Sequence, residues 1–102
     1  EALSALRDEG VLILGSGLSF HNMRAFFGQG GPDGDVKSKK FDEWLTKACT
    51  EVDAKERAEM LGEWRRAPHA EFAHPREEHL IPLMVCAGAG GGDAGKKIFN
   101  HV

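Results

Sequence analysis

Polar residues stand directly before an apolar run in the stretch His74-Pro-Arg-Glu-Glu-His-Leu-Ile-Pro-Leu-Met-Val-Cys-Ala-Gly-Ala-Gly90. Its first residues include two histidines, two carboxylates and a guanidinium, and residues 80–89 are almost entirely apolar. Because Pro75 restricts the residue before it, we expect His74 to be extended and a helix to begin shortly afterwards. The apolar run predicts a helix that is buried on most sides. A functional side chain at its start, such as His79, would be held on a packed element.

The histidines of this region do not form a local metal cluster. His69, His74 and His79 follow one another at intervals of five residues. Five residues on a helix turn about 140° past a full circle, and on a strand they point to opposite faces. This leaves His79 as the candidate ligand, while His69 and His101 are expected at the surface. Glu78 points about 100° away from its neighbour on a helix, so at most one of the two faces a shared ligand.

A second candidate segment lies near the start of the chain. Val11-Leu-Ile-Leu14 is a short apolar run closed by Gly15-Ser-Gly17, which predicts a buried strand of an α/β sheet. In such sheets ligands bind beyond the carboxyl ends of the strands, which is where Ser19, His21 and Asn22 would lie. Asn22 or Ser19 is also a candidate N-cap of a short helix. We therefore predict an α/β fold in which part of a central β-sheet is flanked by helices.

The segments between these two regions contain helical periodicity. Residues 28–40 are rich in glycine and lysine and predict a surface loop. In residues 41–51 the apolar positions recur three and four apart, which is typical of an amphipathic helix. Asp53 begins a capping-box pattern for a second helix, which should end near Arg66 because a proline follows two residues later. Residues 96–102 predict a closing strand at a sheet edge.

The composition limits the class of protein. The 102 residues carry a formal charge of −3, with 41% hydrophobic and 28% charged residues, which is typical of one soluble globular domain. This mild charge gives no reason to expect a nucleic-acid partner, and no apolar run is long enough to span a membrane. Cys49 and Cys86 are expected to be reduced core residues of a cytosolic protein. Trp44 and Trp64 are expected to be packing anchors.

Two motifs carry a family resemblance. Gly15-Ser-Gly-Leu-Ser-Phe-His-Asn22 and Ala73-His-Pro-Arg-Glu-Glu-His-Leu-Ile-Pro-Leu-Met84, with the Ala-Gly-Ala-Gly turn that follows, resemble class III extradiol ring-cleavage dioxygenases. The resemblance is to the 4,5-DOPA dioxygenase-like branch of the LigB superfamily, and it covers nearly the whole chain. It implies a non-haem metal site, with Fe(II) expected and Zn(II) as the alternative. Such a site binds a catechol-type aromatic diol and O2 side by side and opens the ring next to the diol.

The resemblance also implies roles for individual residues. His21 matches the catalytic histidine that moves protons at the substrate hydroxyl, and it is a candidate metal ligand as well. His79 matches the metal ligand on the final helix. Asn22, His74 and Arg76 are candidate substrate-binding residues, although a salt bridge from Arg76 to a neighbouring glutamate is an equal alternative. If His21 and His79 share a metal, their imidazoles should lie within about 8 Å of each other.

Family members have two further metal-binding histidines in an N-terminal half, and nothing in residues 1–102 corresponds to that half. We therefore expect the chain to be the C-terminal part of a catalytic domain, inactive alone and working as a homo-oligomer or with the missing half. One alternative is a non-enzymatic binding or signalling protein of the same fold, as in Memo-type proteins. The others are a zinc-dependent hydrolase and a serine hydrolase that pairs Ser16 or Ser19 with His21.

Overall fold

The fold is known from a computed structural model that describes residues 2–29 and 31–100. None of the helices in these residues is long and apolar enough to cross a membrane. The helices are α1 (Gly34–Thr50), α2 (Ala54–Gly62), α3 (Ala70–Ala73) and α4 (Ile81–Ala89), with 3₁₀ turns at Ser4–Glu9 and Trp64–Arg66 and a π-helical turn at Ala25–Gln29.

Helix α1 is longer than its periodicity predicted. It begins at Gly34, so the prediction of a loop through residues 28–40 was wrong for its second half. Asp35 lies in the first turn, where a negative charge favours the positive end of the helix dipole. The lysines that follow are good helix formers, and the Lys37 ammonium lies 5.1 Å from the centre of the Phe72 ring. A contact with a distant part of the chain thus accompanies a segment that looks like a loop in isolation.

The start of α2 matches the sequence prediction. The Asp53 carboxylate accepts a hydrogen bond of 2.8 Å from the backbone N–H of Glu56, which confirms the N-cap. The helix ends at Gly62, and the 3₁₀ turn Trp64–Arg66 completes the segment close to the predicted end. Trp64 is buried, as expected of a packing anchor.

The predicted α/β fold was wrong for the described residues, because they contain helices and no β-strand. Residues 11–14 are extended, but Leu12 and Leu14 are each 87% exposed. A strand exists only where its backbone pairs with a neighbouring strand, and no such partner lies beside this segment in residues 2–29 and 31–100. The predicted closing strand also fails over residues 96–100, where Ile98 is 90% exposed. His101 and Val102 lie outside the described residues.

The hydrophobic core forms where α1 packs against α3 and the start of α4. Leu80 is buried at the entrance to α4, but Ile81 and Val85 on that helix are 43% and 44% exposed. Helix α4 begins at Ile81, so His79, which was predicted at its start, lies in the turn before the helix, and the helix is less buried than its composition suggested. The core consists of apolar residues from α1, α2, α3 and their connections, together with the N-cap residue of α4: Phe41, Leu45, Ala48, Leu61, Trp64, Ala67, Ala70, Ala73 and Leu80.

Residues 15–17 pass the start of α4 at very close range. A Cβ atom on Gly17 would overlap the carbonyl oxygen of His79, and a Cβ on Gly15 would lie 2.7 Å from the Cys86 sulfur. Both distances are shorter than normal van der Waals contact. The glycines are thus required by the packing of this segment rather than by a turn.

We expect Gly17→Ala to lower the free energy of unfolding by about 1–3 kcal/mol, since overpacking forces the backbone apart. Urea denaturation monitored by circular dichroism measures this loss. Gly62→Ala is the matched control, because a Cβ at Gly62 meets nothing within 4 Å. That change should be neutral or stabilise the helix by less than about 1 kcal/mol. Equal unfolding midpoints for the two variants would contradict the close approach.

Candidate active site: a pair of stacked histidines

The two histidine motifs meet through backbone hydrogen bonds. The N–H of Leu18 donates to the carbonyl of His79 over 3.1 Å, and the N–H of His21 donates to the carbonyl of Ala73 over 2.8 Å. These two bonds fasten the segment after the glycines to the segment that leads into α4. The sequence-distant motifs therefore form one local structure.

This arrangement brings the two candidate histidines into contact. The imidazole rings of His21 and His79 are stacked, with centroids 3.7 Å apart and planes inclined by 20°. Both side chains are partly exposed. The expectation that the rings lie within about 8 Å is confirmed. His79 also borders a cleft of about 250 Å³ whose walls include Gly15, Ser19 and Cys86.

His74 is the polar centre of this region. It has no exposed surface, and its Nε2 lies 2.8 Å from the carbonyl oxygen of Ser19. Because a carbonyl only accepts, Nε2 must carry the proton and donate it. The ring packs against Phe41 and Trp64, with centroid distances of 5.5 Å and 6.2 Å. These contacts indicate that His74 positions the Ser19 turn, which carries His21 two residues later.

The environment of His74 keeps its ring neutral. Burial lowers the pKa of His74 from its ordinary value, and the nearby imidazoles of His21 and His79 act in the same direction. The hydrogen bond to Ser19 opposes this shift to a smaller extent. Nδ1 is buried and has no hydrogen-bond partner among the described residues, as suits the unprotonated nitrogen of a neutral ring.

The other two predicted substrate-binding residues lie in different environments. The side-chain oxygen of Asn22 accepts a bond of 3.1 Å from the N–H of Ala25, which confirms the N-cap, and its amide nitrogen donates to the Phe72 carbonyl over 2.7 Å. The Asn22 amide thus links the two motifs a third time. Arg76 is 84% exposed, and its guanidinium lies 3.7 Å from the Glu78 carboxylate. The salt bridge that the sequence left as an alternative is therefore present.

The described residues do not make a complete metal site. Among residues 2–29 and 31–100 there is no group of three or more His, Cys, Asp or Glu arranged to hold an ion. His21 and His79 supply two imidazoles, which suit iron or zinc. A stable site normally requires three protein ligands, so these two fit such a metal only as part of a larger set.

Sequence reasoning did not identify Arg57 or the burial of His74. Arg57 is only 5% exposed, although it lies on an amphipathic helix beside the charged residues Lys55, Glu56 and Glu59. A single arginine in such a pattern is normally solvated, so no sequence signal distinguishes it. The extended conformation before Pro75 was predicted, but the partner of the His74 ring, a backbone carbonyl, has no sequence signature.

Comparison with known proteins identifies the family. A family model described as the catalytic LigB subunit of aromatic ring-opening dioxygenase matches residues 1–102. The chain belongs to this family.

Individual relatives share this assignment. The dioxygenase tasH of Hapsidospora irregularis is 41% identical over 86% of the chain and 30% of its own length. The 4,5-DOPA dioxygenase extradiol of Beta vulgaris is 35% identical over 99% of the chain and 36% of its own length. The enzyme of the same name from Mirabilis jalapa is 38% identical over 89% of the chain and 33% of its own length. The chain thus spans about a third of the length of these relatives. No solved structure matches it significantly.

The lowered pKa of His74 predicts a pH-dependent stability. Its folded-state pKa lies below the ordinary value of about 6.5, so the unfolded chain binds the proton more readily. The free energy of unfolding should therefore be constant above about pH 7 and fall by up to about 1.4 kcal/mol per pH unit below pH 6.5. Urea denaturation between pH 5 and pH 8 measures this slope.

His74→Gln should flatten this part of the profile, because glutamine keeps an N–H donor and does not titrate. His69→Asn removes an exposed histidine and serves as the control, which should keep the wild-type slope. A slope that survives in His74→Gln and disappears in His69→Asn would contradict the assignment.

Proposed function

We propose that this chain forms part of an extradiol dioxygenase that opens the ring of a catechol-type substrate with O2. The stacked pair His21 and His79 carries this proposal, because both members come from the motifs that resemble the ring-cleaving family. Membership of the LigB family and the printed names of the relatives support it. We also propose a cytoplasmic location, in keeping with the free thiols of Cys49 and Cys86.

We propose Fe(II) as the cofactor, with Zn(II) as the alternative, and His79 and His21 as the ligands from this chain. The metal would supply adjacent binding positions for the diol oxygens and for O2. Because the described residues provide only two imidazoles, the remaining ligands are proposed to come from polypeptide outside residues 1–102. That polypeptide is either the rest of a longer protein or a second copy of the chain.

Within the pair, His21 is the proposed proton-transfer residue, and neighbouring residues hold it in position. His21 is proposed to accept a proton from a substrate hydroxyl and later return it, which an imidazole does well near neutral pH. His74 and Asn22 act on His21 by position, since their hydrogen bonds fix the turn that carries it. Arg76 has an exposed guanidinium and is the candidate partner for a substrate carboxylate in place of Glu78.

The test is turnover by the longer protein that contains this chain, loaded with Fe(II) and offered a set of catechols that includes DOPA. We expect O2 consumption coupled to a yellow ring-opened product. The 102-residue chain should show no turnover as a monomer under the same conditions, because it lacks a third ligand. Absence of turnover by the longer protein with every catechol would refute the proposal, and turnover by the monomeric chain would refute the incomplete site.

Single variants of the longer protein test the two histidines. His21→Ala should reduce kcat by about 10²–10⁴-fold, the usual contribution of a general acid–base, and it should also lower the iron content, because His21 is a proposed ligand. His79→Ala should lose bound iron, measured by elemental analysis, together with activity. His69→Asn is the matched control and should keep both. Full activity in His21→Ala, or an equal loss in the control, would contradict these assignments.

A further inference from the structure

A second cavity lies on the other side of α4 from the exposed apolar face of Ile81 and Val85. It is an open cleft bordered by α1, α4 and residues 93–100, with a volume of about 490 Å³. This size is in the range of sites that bind small molecules. Its apolar walls include Leu45, Leu83, Ala87 and Ala94.

Arg57 is the unusual group in the wall of this cavity. Its guanidinium donates hydrogen bonds of 3.0 Å to two backbone carbonyls, those of Asp93 and Val52. Its Nε is buried and has no hydrogen-bond partner among the described residues. A guanidinium has five N–H donors, so two carbonyl bonds leave three of them for other acceptors.

No described carboxylate neutralises this buried charge. Asp93 lines the cavity, but its carboxylate pairs with Arg7 at 2.8 Å. Asp42 also lines the cavity, and it pairs with Lys97 at 2.9 Å. Arginine is rarely buried without a partner, because an unpaired charge away from water is costly.

The surroundings of Arg57 offset part of the cost of burying its positive charge. Val52 lies two residues after the C-terminal end of α1, where the helix dipole places partial negative charge, and this end favours a cation. Partial charges and neutral carbonyls still leave a net positive charge at a side chain that is only 5% exposed. A ligand anion would complete its coordination.

We propose that this cavity binds a small organic molecule with one carboxylate and an apolar body. The carboxylate pairs with the Arg57 guanidinium, whose planar fork matches two oxygens, and the body packs against the apolar walls. This site is separate from the stacked histidines, and it does not depend on the dioxygenase proposal. Ser19, Leu83 and Cys86 border both the cavity and the His79 cleft, so the two spaces are neighbours.

Cys49 provides an internal reporter for the site. Its side chain lines the cavity, and the charge of Arg57 partly offsets the effect of burial on the pKa of its thiol. A bound carboxylate would cover the thiol and neutralise Arg57. Both effects make the reactive thiolate less available, so alkylation of Cys49 by iodoacetamide should slow when the site is filled.

The experiment compares benzoate with benzamide, a neutral molecule of nearly the same shape, on the 102-residue chain without added metal. Titrations followed by NMR chemical shifts give the dissociation constants, and mass spectrometry gives the rate of Cys49 alkylation. We expect benzoate to bind at least tenfold more tightly than benzamide and to slow alkylation at least threefold. Equal binding of the two probes, or no binding of benzoate at 10 mM, would overturn the proposal.

Three variants test the position of the bound probe. Arg57→Met should abolish the preference for benzoate, whereas Arg65→Met removes an exposed arginine and should keep it. Arg57 also ties two loops together, so its loss could unfold the chain. Ala87→Leu retains Arg57 and fills part of the cavity, and it should weaken benzoate binding at least fivefold with a native circular dichroism spectrum. Unchanged binding in Ala87→Leu would place benzoate elsewhere and overturn the proposal.

Discussion

The hydrogen bond from the buried His74 ring to the Ser19 carbonyl is the interaction on which the candidate site depends. It is 2.8 Å long and lies in the core beside Phe41 and Trp64. Breaking it would leave the buried Nε2–H of His74 without a partner, which typically costs about 1–3 kcal/mol. The bond joins two segments that are far apart in sequence. The packing of the His74 ring in the core therefore fixes the position of the Ser19 turn, which carries His21. The fold and the site are therefore stabilised by the same bond.

The features that the sequence predicted correctly are local ones. The N-caps at Asp53 and Asn22 depend on a few adjacent residues. Each of these residues satisfies backbone groups within its own turn, so the pattern carries the information. The His21 and His79 contact is not local, and it was expected only because the two motifs together resemble a known family. Spacing alone excluded a cluster of neighbouring histidines, but it did not identify the distant partner.

The features that the sequence failed to predict require knowledge of what lies alongside. The run Val11–Leu14 has the composition of a buried strand. Composition indicates that a segment is normally buried, but it does not specify which other segment packs against it. Only the glycines that follow this run approach the start of α4, and Leu12 and Leu14 remain exposed. Arg57 shows the reverse case, in which a residue with a polar pattern is buried because the end of a helix and a cavity wall surround it. Neither outcome follows from periodicity.

The chain exposes more surface than a compact protein of its mass, and this excess is relevant to the proposed metal site. Its accessible area is 7385 Å², whereas a compact monomer of 11.1 kDa is expected to expose about 5,700 Å². The excess includes large apolar side chains, among them Leu12, Leu14 and Ile98, which a folded protein normally covers. The described residues thus lack both cover for this surface and a third ligand for the metal that we propose at His21 and His79. A polypeptide that packs against the extended segment would lie beside the turn that carries His21, so one contact could supply both. Metal affinity at the proposed site and burial of the apolar residues 11–14 should therefore be coupled. Full metal affinity should require that these residues are buried, and the reverse.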